Sequence, residues 1–237
     1  MDLLDLHPWD VTPREAVAIQ RELAGRVVRS GGPRAVRRIA GVDCSVDRAE
    51  GRATGAVVVL SYPDLDVVEV AVAETALTFP YVPGLLSFRE VPVLREAFRK
   101  IAGPIDLLLV DGQGYAHPRR FGLACHLGLL LDLPAIGCAK SRLLGEHEMP
   151  AEAAGSRAGL RDGGELIGSV LRTRDGVRPL YISVGHRIGL RAAERWVLRC
   201  CRGFRLPEPT RLADKAAGGR APAPSTRSDA LPAVALR

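Results

Sequence analysis

Residues 105–140 decide the fold, and they read IDLLLVDGQGYAHPRRFGLACHLGLLLDLPAIGCAK. The apolar run at 105–110 predicts a strand buried on both faces, which would place it in the centre of a sheet. Residues 121–131 favour a helix, and residues 135–139 predict a second short buried strand. A strand, a helix and a strand in this order indicate a parallel α/β unit.

Three further strands are expected upstream of this unit. Residues 38–43, 54–61 and 65–76 have the composition of strands and are joined by short connections. Short connections favour antiparallel neighbours, so we expect a three-stranded meander whose first strand ends in Asp43.

Two helices are predicted on the N-terminal side of residue 105. Residues 12–26 begin with Thr12 and Pro13, and Glu15 completes a capping box. Residues 87–102 have apolar side chains at helical spacing, and Ser87 with Glu90 predicts a second capping box.

The C-terminal part predicts a hairpin, a helix and a tail. Residues 165–172 and 180–184 would pair around a turn at Asp175 and Gly176, and residues 191–201 favour a helix. From Gly218 the chain is rich in Pro, Gly, Ala and Ser without a periodic apolar face. We therefore expect one α/β domain over residues 1–217, with a mixed sheet flanked by helices, and a disordered tail over 218–237.

Composition narrows the class of protein. The chain has 237 residues, of which 25% are charged, as in ordinary globular proteins. Its formal net charge of +6 slightly favours a polyanionic partner. Its five cysteines have no metal-site spacing, which predicts reduced thiols in the cytoplasm. The acidic start is unlike a signal peptide, and the apolar run at 127–136 is interrupted, so we expect neither export nor a membrane span.

Two carboxylates follow predicted central strands, Asp43 in GVDCS and Asp111 in LLLVDGQG. Ligands of an open α/β sheet gather beyond the carboxyl ends of its strands, so the two can converge on one hard cation such as Mg²⁺. The alternative is that each aspartate only caps a turn. Glu90 could point a third carboxylate towards this site, and Lys140 after residue 139 could bring a positive charge there or be a surface lysine.

These residues lie in motifs that resemble the endonuclease V family, also called deoxyinosine 3′ endonuclease. The matching blocks cover roughly residues 17–217 and keep the family's order. They read GVDCSVD (41–47), FPYVPGLLSFRE (79–90), VDGQGYAHPRRFGLACHLGLLLDLPAIGCAKSRL (110–143), LYISVGHRIGL (180–190) and LPEPTRLAD (206–214).

The resemblance implies an RNase H-like fold and a set of site residues. Asp43, Glu90, Asp111 and Asp214 would bind Mg²⁺, for which Mn²⁺ could substitute, and the catalytic residues would be Asp43, Glu90, Asp111, His117 and Lys140. His117 precedes Pro118, so the alternative is that it only orders the turn before the next helix.

The segment PYVPG, residues 80–84, has a physical logic of its own. An enzyme that inspects a base must turn it out of the helix, and two prolines with the Tyr81 ring would form a stiff, stacking wedge. The alternative is a rigid turn that packs Tyr81 into the core. Along with Tyr81, the resemblance implies nucleic-acid contacts at Pro83, Gly84, Leu86 and Gly112, and Gln113 departs from the His or Asn common in the family's DGxG turn. Arg119, Arg120 and Arg142 are candidate phosphate contacts, because an arginine fork matches phosphate oxygens and the first two precede a helix N-terminus.

The implied activity is Mg²⁺-dependent DNA repair: hydrolysis of the second phosphodiester bond 3′ to deoxyinosine, leaving 3′-hydroxyl and 5′-phosphate ends. The expected partner is deoxyinosine-containing DNA or inosine-containing RNA, bound by a monomer. The alternatives are another RNase H-like nuclease, a non-cleaving inosine-binding module, and a metal-independent enzyme that uses Cys125 or Cys138 with His117 or His126. The PYVPG segment and the intact carboxylates argue against the first two.

Overall fold

The computed structural model describes residue 1 and residues 3–225, which form one eight-stranded sheet with five helices around it. In chain order the elements are α1 (Pro13–Ala24), β1 (Arg38–Asp47), β2 (Arg52–Ser61), β3 (Val67–Ala76), α2 (Leu86–Arg99), β4 (Leu107–Val110), α3 (Leu123–Leu131), β5 (Ala135–Ala139), β6 (Arg157–Asp162), β7 (Glu165–Leu171), β8 (Leu180–His186), α4 (Leu190–Arg199) and α5 (Glu208–Ala217).

The strands are arranged in the order β3-β2-β1-β4-β5-β8-β7-β6. The pairs β1–β4 and β4–β5 are parallel, and the other neighbours are antiparallel. This mixed α/β sheet with helices on both faces is the predicted RNase H-like fold.

The sheet separates two apolar layers. On one face, Val42 and Val110 pack with side chains of α2 and α3, including Phe98 and Leu127. On the other face, strand residues such as Ile39 pack against α4 and α5. Burial of each large apolar side chain contributes about 1.5–3 kcal/mol, so the two layers anchor α2, α3, α4 and α5 to the sheet.

Most of the predicted elements are confirmed. Thr12 and Glu15 form the capping box of α1, with the Glu15 backbone N–H donating to the Thr12 hydroxyl and the Thr12 backbone N–H donating to the Glu15 carboxylate. The antiparallel meander, the two buried parallel strands and the β7–β8 pair are also present. Strand β4 begins at Leu107 rather than 105, because the Asp106 carboxylate instead accepts hydrogen bonds from the Arg37 and Arg38 backbones.

Two predicted details are wrong. Strand β1 does not end at Asp43, because the strand loses its parallel partner β4 after Val42 but continues beside β2 to Asp47. The capping box at Ser87 and Glu90 is absent: α2 begins at Leu86, and the Ser87 hydroxyl lies 3.0 Å from Nδ1 of buried His126 instead.

Two elements were not predicted, β6 and α5. Strand β6 lies at the edge of the sheet beside β7, and α5 packs across β1 and β2. The predicted tail falls partly outside the described residues, which end at residue 225. Among the described residues, no helix has the length and apolar character needed to cross a membrane.

Candidate functional site

Three aspartates converge on one edge of the sheet. Val42 of β1 pairs with Val110 of β4, so the next residue on each strand, Asp43 and Asp111, lies just past the end of the parallel ladder. Asp214 reaches the same place from α5. One carboxylate oxygen from each aspartate lies within 4.8 Å of the other two. We call Asp43, Asp111 and Asp214 the carboxylate cluster.

A close contact between α5 and β1 brings Asp214 to this edge. A Cβ atom at Gly41 would lie 1.9 Å from the backbone oxygen of Pro209 in the first turn of α5. Only glycine allows the helix to approach the strand so closely. Gly41 is therefore part of the reason that Asp214 joins the two strand aspartates.

Lys140 supplies positive charge to the carboxylate cluster. It follows β5 directly, and its Nζ atom lies 2.6 Å from Oδ2 of Asp111 and 2.5 Å from Oδ1 of Asp214. Burial opposes the charge on Lys140, but hydrogen bonds to these two carboxylates raise its pKa. The lysine is therefore charged, and it belongs to the site rather than to the general surface.

The aspartates are strongly perturbed by burial and by one another. Burial raises the pKa of Asp43 to about 7, and the charge of Asp111 adds to the increase while Lys140 opposes it. Burial likewise raises the pKa of Asp111, against the hydrogen bond from Lys140. Three carboxylates this close together are all ionised only when positive charge lies among them. Because all the donors are carboxylate oxygens, the cluster fits a hard divalent metal ion.

Glu90 lies outside the three-carboxylate cluster but feels its charge. It is buried one turn inside α2, and burial raises its pKa to about 8, with further increases from Asp43 and then Asp111. At neutral pH its carboxyl group is therefore mainly protonated in the metal-free protein. Its role as a metal ligand stays a prediction.

A cavity of 390 Å³ adjoins the cluster, and we call it the loop cavity. It lies between the PYVPG segment and the turn that follows β4. Five of the seven predicted nucleic-acid contacts line it: Tyr81, Pro83, Gly84, Leu86 and Gly112. The two predicted catalytic residues that are not carboxylates, His117 and Lys140, line it as well. Asp111 and Lys140 line both this cavity and a second one of 390 Å³, the cluster cavity, which contains all three aspartates.

Tyr81 stands out from the surface instead of packing into the core. Its side chain is among the most exposed large hydrophobic groups described, at 61% exposure. The guanidinium groups of Arg48 and Arg89 lie 5.6 and 6.0 Å from its ring centroid. This arrangement contradicts the alternative of a buried structural tyrosine and leaves an aromatic face with cations beside it.

The backbone oxygen of Gly84 anchors the PYVPG segment. It accepts hydrogen bonds from Nε2 of Gln20 at 3.0 Å and from Nη2 of Arg119 at 2.6 Å, and it lies 3.0 Å from Nε2 of His117. Gly84 has a φ of 79°, which favours glycine. The loop cavity is therefore bounded by a segment with a fixed end.

His117 is part of this anchor. Nε2 lies beside the Gly84 oxygen, so it carries the hydrogen, and Nδ1 accepts from the Arg119 backbone N–H at 3.2 Å. Burial and then the charge of Arg119 lower the pKa of His117 to about 4, so the ring is neutral near pH 7. The geometry gives His117 a positioning role, and direct assistance at a phosphate stays a prediction.

The arginines predicted to contact the nucleic acid differ in whether they line the loop cavity. Arg119 is bound to Gln20 and Gly84, and Arg120 forms ion pairs with Asp162 and Glu165 at 2.8 and 2.9 Å. Both lie outside the lining of the loop cavity. Arg142 does line the loop cavity and also a larger, polar cavity of 1190 Å³ next to β6, whose lining includes no residue of the carboxylate cluster.

Sequence reasoning missed Gln20, Ser141 and Leu143, which also line the loop cavity. Gln20 is a buried polar residue on the apolar face of α1, and that mismatch was the available signal. Leu143 is 48% exposed beside the cavity. Gln113, the departure from the family's pattern, also lines it and donates from Nε2 to the Ser141 oxygen at 2.9 Å.

The sheet and its carboxylate cluster define a protein of the RNase H-like class. A family model described as Endonuclease V matches residues 21–215. The chain therefore belongs to the Endonuclease V family, a family of nucleases.

Individual relatives agree with the family model. The chain is 54% identical over 213 residues to Endonuclease V of Gloeobacter violaceus, covering 89% of this chain and 87% of that protein. Its structure resembles Endonuclease V of Streptomyces avermitilis with a TM-score of 0.85 at 44% identity, covering 89% and 93% of the two chains. It also resembles Endonuclease V of Ciona intestinalis with a TM-score of 0.75 at 26% identity, covering 87% and 95%, in a complex with a 24mer DNA that contains an inosine followed by a ribo-adenosine.

Proposed function

We propose that this protein is a Mg²⁺-dependent DNA repair endonuclease that recognises deoxyinosine and hydrolyses the second phosphodiester bond on its 3′ side. The products would carry 3′-hydroxyl and 5′-phosphate ends. One observation carries the proposal: the loop cavity and the cluster cavity share Asp111 and Lys140. A base turned out into the loop cavity would leave the phosphates that follow it beside the cluster.

The metal centre is proposed from the donor set. Asp43, Asp111 and Asp214 would hold Mg²⁺, or Mn²⁺ in its place, with Glu90 as a further carboxyl group behind them. When bound, the metal polarises the scissile phosphate and lowers the pKa of a water molecule. Lys140 provides a fixed positive charge close to the negative charge that develops on the phosphate.

Recognition of the base is proposed for the loop cavity. Tyr81 and Pro83 would occupy the gap left by the extruded nucleotide, since an exposed aromatic ring stacks on bases of any sequence. Backbone groups of Gly84, Leu86 and Gly112 would bind the edge of hypoxanthine. Arg119 and Arg120 are retained as proposed phosphate contacts, although both would first have to exchange their present partners.

The biological setting follows from the same proposal. Action as a monomer is part of the same proposal. The five cysteines are free thiols, which supports a reducing cytoplasm. DNA is the proposed substrate because the Ciona relative binds inosine-containing DNA, and inosine-containing RNA is the second candidate.

The test is cutting of end-labelled DNA and RNA strands that carry one inosine. We expect Mg²⁺-dependent cutting of the DNA strand at the second phosphodiester bond 3′ to the inosine. A ligase should be able to rejoin the resulting ends. Asp43→Asn should abolish it, while Asp10→Asn, on the exposed N-terminal segment, should leave it unchanged. Stronger cutting of RNA would reassign the substrate, and cutting independent of inosine would overturn the proposal.

A further inference from the structure

The end of α5 brings one more arginine to the carboxylate cluster. Arg220 lies beyond residue 215, where the match to the family model stops. It lines the cluster cavity together with Asp43, Asp111 and Asp214. No motif discussed above includes it, and it belongs to the segment whose sequence predicted a disordered tail.

The helix end determines where Arg220 lies. The Gly219 N–H donates to the Ala216 oxygen at 3.1 Å, and the Arg220 N–H donates to the Lys215 oxygen at 2.8 Å. Gly219 has a φ of 80°. These two bonds and the left-handed glycine form a Schellman motif, a regular way to end a helix. The Arg220 backbone is thus an ordered part of the α5 terminus.

The positively charged side chains around the cluster cavity differ in whether they already form ion pairs. Two cationic side chains line it, Lys140 and Arg220. Lys140 is already paired with Asp111 and Asp214. Arg220 is exposed and, within the part of the chain that the structure describes, takes part in none of the ion pairs or side-chain hydrogen bonds. Its guanidinium group is therefore available to a ligand.

We propose that Arg220 binds a backbone phosphate of the nucleic-acid strand at the cluster cavity. This inference rests on the proposed function, because it needs a strand to cross the carboxylate cluster. Three aspartates repel an approaching phosphate, and a guanidinium group at their margin offsets part of that repulsion. Its planar fork of N–H donors matches the oxygens of a phosphodiester. Arg220 is a substrate-binding residue and takes no proton in the reaction.

The test measures binding of a fluorescent, undamaged single strand by anisotropy at several salt concentrations in EDTA. Arg220→Gln should weaken binding about 3- to 10-fold at low salt and reduce the slope of log K against log salt by about 0.7, the value for one phosphate contact on a single strand. Arg220→Lys should keep the slope. Arg34→Gln is the matched control, because Arg34 is also exposed but precedes β1 at the far end of that strand. Equal slopes for Arg220→Gln, Arg34→Gln and the unchanged protein would overturn the proposal.

Gly219→Ala is a second variant that moves Arg220 without changing the charge. A side chain at φ of 80° is strained, so the Schellman motif should loosen and binding should weaken while the helix remains folded. Binding equal to that of the unchanged protein would show that the helix cap does not position Arg220. Inosine-dependent cutting by the unchanged protein is followed in parallel, so that failure of the proposed function is seen separately from failure of the Arg220 contact.

Discussion

Asp43 is the residue at which the proposed activity and the stability of the metal-free fold conflict most. It is half-buried beside a second carboxylate, and burial together with the charge of Asp111 raises its pKa to about 7. A neutral isostere removes this penalty. A residue kept for metal binding is therefore expected to destabilise the protein that lacks metal.

We predict that Asp43→Asn raises the stability of the metal-free protein at pH 8 by about 1–3 kcal/mol, since one pKa unit corresponds to about 1.4 kcal/mol. Thermal unfolding in EDTA should show a midpoint higher by about 2–4 °C for each kcal/mol. Asp10→Asn, which replaces an exposed aspartate, should change the midpoint little. A lower midpoint for Asp43→Asn would mean that the ionised carboxylate is stabilised in the fold.

How well single site residues could be predicted depended on their place in the chain. Asp111 and Lys140 follow short buried strands, so an edge of the sheet could be deduced from the sequence for both. Asp214 became a candidate only through the family resemblance, because its helix was not predicted. Gln20 was not a candidate at all, since its contact with Gly84 joins positions 64 residues apart.

At the scale of elements, the site depends on how closely α5 lies on β1. We predict that Gly41→Ala destabilises the protein by about 1–3 kcal/mol, because a Cβ 1.9 Å from the Pro209 oxygen forces the two elements apart. Cutting should fall at least 10-fold as Asp214 moves away from Asp43 and Asp111. Gly25→Ala is the matched control, because Gly25 follows α1 with a φ of −67° and a Cβ there would make only an ordinary contact, 3.7 Å from the Glu22 oxygen. Full activity of Gly41→Ala would disprove this dependence.

The position of the PYVPG segment depends on α1 through Gln20. Gln20→Leu removes one donor to the Gly84 oxygen and the acceptor of Arg119, so we expect the segment to become mobile. KM for inosine-containing strands should rise about 5- to 20-fold with a smaller change in kcat, which corresponds to about 1–2 kcal/mol of lost binding. Glu22→Leu on the exposed face of α1 serves as the control. An unchanged KM would remove Gln20 from the recognition machinery.

The two elements that the sequence did not predict have weak local signals. Strand β6, RAGLRD, contains a glycine and three charged residues, and it is a strand because β7 pairs with it. Helix α5, EPTRLADKAA, follows Pro207 and contains Pro209, and three of its six buried residues are alanines. In both cases tertiary contacts rather than periodicity determine the conformation.

For the molecule as a whole, titratable groups with opposite effects limit the pH range in which the metal-free protein is most stable. The folded-state pKa values of Asp43 and Glu90 are raised to about 7 and 8, so their contribution is present at acidic pH and lost as pH rises through these values. Burial lowers the pKa of His117 to about 4 and lowers those of His7 and His126, so stability is lost as pH falls below the ordinary histidine value of about 6.5.

We therefore predict that the metal-free protein is most stable between about pH 6 and 7 and loses stability towards pH 4.5 and pH 8.5. Thermal unfolding in EDTA across this range measures it directly. Mg²⁺ should raise the midpoint more at pH 8.5 than at pH 6, because metal ligands must be ionised. An equal effect of Mg²⁺ at both pH values would indicate binding away from Asp43 and Glu90.

The overall topology was predictable as far as β5, and beyond β5 only the β7–β8 pair was predicted. Local connections imply the meander and the parallel β1-β4-β5 core. The antiparallel placement of β8 beside β5 brings together segments about 45 residues apart, with β6 and β7 added outside it. No local pattern in the sequence encodes that order.

Asp111 and Lys140 form a wall common to the loop cavity and the cluster cavity, and both residues directly follow strands of the central sheet. Under the proposed function, the distance between a base bound in the loop cavity and the bond cut at the carboxylate cluster would be set by the spacing of these strands in the β-sheet. The enzyme would count backbone length and ignore base identity between the two points. A strand in which the nucleotide after inosine is replaced by an abasic spacer of equal length should be cut at the same bond. With a spacer that is one bond longer, the position of the cut relative to the spacer should change.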